Sequence, residues 1–427
     1  MTWLDLLLDQ HKDFESPINF WRWAGLASIS AVMKDQIWMD RYLYKLYPNI
    51  YVMFHADSGL KKGPPVGMAN TLVKAVNNTT IIKGRSSIQA ILKDMGTTST
   101  MPGGRIKTDS SVFICSSELS SSIVDDPVAA KILTDLYDRH YNEGEWRSLL
   151  KQEVFSLKSP TVVMLGATNE AMSEDFFTGA VIKGGYFART FIIYESKRNK
   201  RNSLAFQPNH IPDYKETAKY LFELSKLKGA FKYFSSLVQD DEYSIAIKVD
   251  DRTAYFSPAG AVYHRWYDDF LDTVDSQDVK DETGTLNRFG DSVIKVAMLL
   301  SLAEHPKLEI TLNAMNEAIR ICEQLLGNVR KTTQGKSGLS ASKNLKALIM
   351  NELLNVRENH MITRTMLTRK FQNHYGSVEE LDHIMESFHI ADMIITEVNE
   401  KGTMYRMKTE RVIEMKNYLA GKGNVRQ

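Results

Sequence analysis

Apolar and polar positions change their period twice along this chain. Residues 17 to 37, "PINFWRWAGLASISAVMKDQI", put aromatic and aliphatic side chains at helical spacing with small residues between them, which predicts an amphipathic helix packed on a core. From Asn49 to about Ser196 the period shortens. The runs "IYVMF", "TTIIKG", "SVFICSS", "SPTVVMLGAT" and "RTFIIYES" read as strands bounded by turn signals and separated by helical stretches. That alternation predicts a largely parallel sheet covered on both faces. Residues 210 to 335 return to helical spacing in "DYKETAKYLFELSKLKGAF", "PAGAVYHRWYDDFLDTV", "LNRFGDSVIKVAMLLSLAEH" and "TLNAMNEAIRICEQLLGNV", interrupted by one β-like run, "YSIAIKVDDRTAYFS".

Two polar stretches divide this pattern. "ESKRNKRNS" is a basic exit from the strand region, and "KTTQGKSGLSAS" has no apolar period, so both read as linkers. Beyond residue 340 the chain reads as helices over 343–356, 363–373 and 377–391, followed by "MIITEVNEKGTMYRMK", a hairpin with a Lys-Gly turn. Three helices and a two-stranded wing are the winged-helix pattern. The expected organisation is therefore an N-terminal helical segment (1–48), an α/β core (49–203), a helical lid domain (204–338) and a winged-helix domain (339–427).

Composition narrows the partners. The chain has 427 residues, 43% hydrophobic and 25% charged, enough for more than one core in an ordinary globular protein. A formal net charge of +1 excludes a blanket electrostatic grip on nucleic acid, so any basic surface is local. Cys115 and Cys322 lie in apolar runs, and His360, His374, His383 and His389 show no ligand spacing, so no metal site is expected from them. The N-terminus is acidic where an export signal is basic, and no apolar run is long enough to span a bilayer. These features lead us to expect a cytoplasmic protein that does not enter the membrane.

Four stretches carry candidate chemistry. "NIYVMFHADSGLKKGPPVGMAN" runs from an apolar strand through a Gly/Lys loop into a helix. With Lys62 in the lysine position of G-x-x-x-x-G-K-[ST], Ala56 and Lys61 replace the two glycines and Gly63 replaces the hydroxyl residue. The stretch reads either as a phosphate loop built by Asp57, Ser58, Gly59, Lys61, Lys62 and Gly63, or as a basic strand-to-helix turn. "SSVFICSSELSSSI" places Glu118 just after a strand, with Ser117 where a second carboxylate would stand. Asn169 ends "SPTVVMLGATN", where a polar group can orient an attacking water or cap a helix. Arg189 opens a strand after a Gly-Gly turn, placed to reach a neighbouring subunit's phosphate or to form a surface salt bridge. Their order and spacing are those of an additional-strand P-loop ATPase.

On these stretches, together with "FWRWAGLASISAVM", "LYDRHYNEGEW" and "NRFGDSVIKVAMLLSLAEH", the chain resembles the helicase-like, primase/helicase-associated ATPases of bacteriophages and integrative elements over roughly residues 15 to 335. The resemblance implies a RecA/AAA+-like P-loop core with ATP and Mg²⁺ as cofactors. It further implies Lys62 as phosphate lysine, Glu118 as general base, Asn169 as sensor of the attacking water, Arg189 as arginine finger and Arg288 as a second sensor from the helical lid. Gly63 and Ser117 stand where the Mg²⁺ ligands usually stand, which puts hydrolysis in doubt, although Asp57 or Ser58 could substitute.

The same resemblance implies a homo-oligomer, in the extreme a hexameric ring, that works on single-stranded or forked DNA in the host-cell cytoplasm. Within it, "NEGEWRSLLKQEVFSLKSP" can form a hairpin carrying Arg147, Lys151 and Lys158 toward a nucleic-acid backbone. In the last domain Arg364, Arg369 and Lys370, with Lys401, Arg406 and Lys408 on the wing, offer a DNA contact. The acidic third helix, with Glu379, Glu380, Asp382 and Glu386, keeps a protein partner such as another replication factor equally open. Three functions fit: an oligomeric P-loop ATPase acting on nucleic acid in phage or mobile-element replication or recombination, a degenerate nucleotide-binding DNA scaffold or loader without hydrolysis, and a partner-recruiting adaptor.

Overall fold

A computed structural model gives the architecture. It describes residues 1–84, 86–96, 98–100, 106–108, 110–117, 127–138, 145–150, 153–168, 185–201, 212–249, 252–276, 284–333, 346, 348–350, 352–354, 356, 361–371, 378–399 and 402–413. The chain forms two compact units, Met1–Val329 and Arg330–Gln427. The segments expected as 1–48 and 49–203, and the helical region up to 329, all belong to the first unit.

The first unit opens with α1 (Trp3–His11) and α2 (Ile18–Met33), then the strands β1 (Ile37–Arg41) and β2 (Tyr44–Leu46). Next come β3 (Tyr51–His55), α3 (Gly63–Val76), β4 (Thr80–Ile82), α4 (Ile88–Met95), β5 (Thr98–Thr100), β6 (Ile106–Thr108), β7 (Ser111–Ser116) and α5 (Pro127–Asp138). A hairpin of β8 (Glu145–Leu150) and β9 (Glu153–Lys158) precedes β10 (Thr161–Thr168), and a 3₁₀ turn at Phe187–Arg189 leads into β11 (Thr190–Tyr194). The unit continues through α6 (Lys215–Leu224), β12 (Gly229–Ala230), β13 (Ser235–Ser236), β14 (Ile245–Val249), β15 (Arg252–Phe256), α7 (Pro258–Ser276), α8 (Thr285–Glu304) and α9 (Leu312–Thr333).

The central sheet is five-stranded in the order β11-β3-β10-β7-β4, and every pairing in it is parallel. All five strands were predicted from their apolar runs. The reason is burial on both faces: β3, β7 and β10 are buried at every position, so they read as continuous rather than alternating hydrophobic segments. Alternation survives in which core each residue enters. Val52, Phe54, Phe113, Leu165 and Ile193 pack with α2, α3 and α8, whereas Tyr51, Met53, Ile114, Met164 and Ile192 pack with α4 and α5 on the other face. The long apolar α2 is buried almost all round, and Phe20 stacks on Phe54 with ring centroids 4.4 Å apart.

The expected β-like interruption is the antiparallel pair β14–β15, with β13 on its other side. Strands β1 and β2 were not anticipated, being short and followed directly by the sheet. They form an antiparallel hairpin to which β12 adds in parallel.

The second unit has helical residues between 346 and 354, then β16 (Ile362–Thr363), α10 (Arg364–Lys370), α11 (Val378–Ile390), β17 (Ile394–Asn399) and β18 (Gly402–Met407). The last two strands form the expected hairpin, and β16 pairs with β18 on its other side. Leu353, Leu367, Leu381 and Phe388 are at the centre of its core.

Helix α1 is tied down by a capping box between Thr2 and Asp5 and by Trp3 and Leu7, which bury against α2. At its end His11 is fully buried and stacks on Trp21, with centroids 3.9 Å apart. Its Nδ1–H donates to Leu7 O at 2.7 Å, which leaves Nε2 to accept from the Tyr214 hydroxyl at 2.9 Å. That arrangement uses the neutral ring, and burial lowers the His11 pKa from 6.5. The stability it confers is complete above the unfolded value and is lost as pH falls through the lower folded one. In denaturant titrations the wild type should therefore weaken as pH drops from 7 toward 5, by at most about 1.4 kcal/mol per pH unit from this one proton. The non-titrating His11→Gln should flatten that slope.

Candidate functional site

Parallel pairing gathers the carboxyl ends of all five core strands on one edge. Strand β3 leaves that edge through residues 56–62 into α3, and the turn needs two left-handed residues, Gly59 (φ 92) and Lys61 (φ 52). Glycine adopts this backbone freely, whereas a lysine is strained in it, and Lys61 occupies the second glycine position of the loop pattern. The Lys62 ammonium reaches back across the loop to Ala56 O at 2.5 Å and Asp57 O at 3.0 Å. Ser16 Oγ, from the segment joining α1 and α2, donates to Lys61 O at 2.7 Å and fixes the outer side. Partial burial lowers the Lys62 pKa, with Asp57 opposing the shift. Asp57, Ser58 and Gly59 remain exposed.

Helix α3 begins at Gly63 with Pro64 and Pro65 in its first turn. A helix N-terminus offers an anion its unpaired N–H groups, and proline has none, so this helix brings fewer donors to the loop than an ordinary one. Gly63 has no hydroxyl for a metal.

The neighbouring strand ends complete the edge. Thr168, buried at the end of β10, is in register with His55, and Gly166 is in register with Ser116 of β7. Ser117 follows, exposed. Glu118 and Asn169 lie outside the described residues. The connection from β3 runs past β10 and β7 to β4, while that from β10 returns past β3 to β11. Adjacent strands whose connections part in opposite directions leave a crevice at their carboxyl ends, the usual ligand position in open α/β sheets. Loop 56–62 borders that crevice.

Arg189 and Arg288 are brought together, but at the opposite edge. Thr190 is in register with Tyr51, the first residue of β3, and so lies about 13 Å of strand, four steps of roughly 3.3 Å, from the loop end, with Arg189 one residue farther still. Arg189 is buried and engages Asp138 at the end of α5 through two hydrogen bonds, Nε to Oδ1 at 3.0 Å and Nη2 to Oδ2, and its Nη1 donates to Gly185 O at 2.7 Å. Arg288 Nη1 bonds both oxygens of the same carboxylate at 3.2 Å. The two guanidiniums hold the Asp138 carboxyl below its ordinary range against the opposing effect of burial. Arg189 therefore points inward, its guanidinium held by Asp138 and Gly185. Asp138 was not anticipated, although it lies in the quoted stretch "LYDRHYNEGEW"; a lone acid at a helix end carries no periodic signal.

Beside this cluster lies a cleft of about 500 Å³, bordered by Tyr44 and Lys45 of the β1–β2 hairpin and by Arg288, Asp291 and Lys295 of α8. Lys295 is buried, donates to Asn49 O and Oδ1 at 3.1 and 2.9 Å, and sits 3.7 Å from the Tyr137 ring centroid. The lysine loop lies at the other, strand-end edge.

Arg147 and Lys158 are exposed on the β8–β9 hairpin, and Lys151 at its tip lies outside the described residues. In the second unit Arg364 forms a two-pronged pair with Asp382 and Lys370 pairs with Glu352, whereas Arg369 and Arg406 form no ion pair among the described residues. Lys401 lies outside them. Among the described residues no group of His, Cys, Asp and Glu could hold a metal ion, and no helix is long and apolar enough to cross a membrane. Compared with known proteins, the chain matches no family model and no curated sequence.

The two arginine pairs differ in environment, which sets their worth. Removing one partner of a buried pair strands the other's charge, while an exposed pair is screened by water. Arg189→Ala is expected to cost about 3–5 kcal/mol in chemical denaturation. Arg364→Ala, whose pair is exposed by about 40% on each side, is expected to cost under about 1 kcal/mol.

Proposed function

We propose that this chain binds a nucleoside triphosphate at residues 56–63 and acts on nucleic acid as an oligomeric P-loop ATPase of the helicase-like class, in phage or mobile-element DNA replication or recombination. The observation that carries this reading is the grip of Lys62 on Ala56 O and Asp57 O, which closes the loop at the crevice between β3 and β10. A lysine held in such a loop is a group that can meet phosphate charge. Two further features support it. Strand β10 is inserted between the strand before the loop and the strand before Glu118, the arrangement for which additional-strand P-loop ATPases are named. Lys61 keeps a left-handed backbone at a position the pattern gives to glycine.

The second unit fits a winged helix in element order, with β17–β18 as the wing. Its nucleic-acid contact then falls to Arg369 and Arg406, since Arg364 and Lys370 are held by carboxylates. Arg147 and Lys158, exposed on the β8–β9 hairpin, suit a backbone contact in the first unit.

A second reading, nucleotide binding without hydrolysis, is favoured by Gly63 and Ser117, which supply no metal ligand of the usual kind, and by Pro64 and Pro65, which remove amide donors.

Equilibrium titration with ATP and Mg²⁺, followed by steady-state hydrolysis with and without single-stranded DNA, tests both readings. Binding should weaken at least about tenfold in Lys62→Ala, the loss of one charge-assisted contact. The double variant Gly63→Thr with Ser117→Asp, which supplies the two usual metal-ligand groups, should raise turnover. DNA-stimulated turnover by the wild type supports the motor, and binding without turnover supports the scaffold. Equal ATP affinity in wild type and Lys62→Ala would leave residues 56–63 a basic turn and end the P-loop reading.

A further inference from the structure

Residues 195–201, which the sequence presents as a basic linker, leave β11 at the same strand-end edge as the lysine loop and are bonded there at several points. The Glu195 amide donates to His55 O at 3.1 Å, on the last residue of β3 before the loop begins. The Glu195 carboxylate accepts from Asn19 Nδ2, in the first turn of α2, at 2.6 Å. Farther on, Asn199 grips the turn between α1 and α2, residues 12–17. Its amide donates to Glu15 O at 3.1 Å, and its Nδ2 group donates to Lys12 O at 2.7 Å and to Phe14 O at 3.3 Å. Ion pairs of Arg198 with Glu15 and of Lys200 with Asp13 flank it.

These contacts close a frame around the lysine loop. Its entrance is held by Glu195 through His55 O, and its exit by Ser16 through Lys61 O at 2.7 Å. Glu195 and Ser16 are in turn tied to each other twice, by Asn19, three residues after Ser16, and by Asn199, which binds the residues just before it. The separation of the two loop ends is therefore fixed from outside the loop. The ties differ in weight. Ser16 is buried, and the bond from Asn19 ends on a carboxylate, which makes it stronger than one between neutral groups. The Arg198 and Lys200 pairs involve exposed cations and add little.

We propose that Glu195 is a positioning residue for loop 56–62: with Asn19 and Ser16 it holds the two ends of the loop at the spacing in which Lys62 reaches Ala56 O and Asp57 O. Glu195 acts through the β3 backbone and through Asn19, not by touching a ligand. Its consequence for binding rests on the nucleotide reading of the loop, whereas the positioning itself belongs to the protein alone. Removing the carboxylate takes from Asn19 Nδ2 its acceptor and loosens the exit of β11 from turn 12–17, so the loop between them opens more often.

The test is limited trypsin digestion of the full chain, with cleavage after Lys61 and Lys62 followed by mass spectrometry, alongside ATP titration, for wild type, Glu195→Ala, Glu195→Gln and Ser16→Ala. Cleavage at these bonds reports local opening of the loop. Glu195→Ala should speed it at least about tenfold, the loss of a hydrogen bond to a charged group, and Ser16→Ala about two- to tenfold. Glu195→Gln, whose amide oxygen still accepts from Asn19, should stay near wild type. On the nucleotide reading, ATP affinity should fall in the two alanine variants and hold in Glu195→Gln. Should Glu195→Ala fail to fold, Asn19→Ala removes the same bond from its other side and takes its place. Wild-type cleavage at Lys61 and Lys62 in the folded alanine variant, acceleration shared equally by all tryptic sites, a Glu195→Gln as labile as Glu195→Ala, or undiminished ATP affinity in Glu195→Ala would each overturn the proposal. If wild type binds no ATP while cleavage follows the expected order, the P-loop reading falls and the positioning role stands.

Discussion

Parallel pairing of β3 with both β10 and β11 sorts the chemistry of this protein by chain direction. Because the core strands run the same way, whatever follows a strand gathers at one edge and whatever precedes it gathers at the other. The lysine loop follows β3 and meets the end of β10. Asn49 precedes β3 and meets Tyr137 and Lys295, and Arg189 precedes β11 and meets Asp138. Two chemically distinct groups of side chains are thus fixed by one strand, and neither could be moved to the other edge without reversing a strand.

The amino edge also holds the first unit together. Asn49 donates to the carbonyl of Tyr137 at the end of α5 and accepts from Lys295 of α8, while the Tyr51 hydroxyl bonds Leu133 O. Asp138 adds Arg189 and Arg288 to the same junction. Helices from both faces of the sheet are therefore fastened at one corner by groups that have given up water and depend on one another for compensation. This explains why the helical region after residue 204 shares a core with the sheet up to α9.

What the sequence revealed follows from where each signal is stored. The five core strands were legible because burial on both faces writes an uninterrupted apolar run, and Lys62 was legible because its loop lies between such a run and a helix. The β17–β18 hairpin was legible from its Lys-Gly turn, and the β8–β9 stretch was expected to be able to form one. Asp138 was not, because its meaning comes from Arg189 and Arg288, which lie 51 and 150 positions away and meet it only once the strand order is set. For the same reason Arg189 reads in sequence either as a group for a neighbouring phosphate or as half of a surface salt bridge, while in the fold its fork is taken up by a carboxylate in an internal, buried pair. Strands β1 and β2 were missed because three to five residues hold too few alternations to be distinguished from a loop.

The self-closure of the lysine loop has a thermodynamic corollary. Residues 56–62 are held by Lys62, by Ser16 and by the left-handed turns before any ligand arrives. The ordering of such a segment opposes folding by roughly 1–2 kcal/mol for each residue fixed, and here that loss falls on the folding reaction. Any ligand the loop takes would meet a backbone already shaped, with little entropy spent on ordering it.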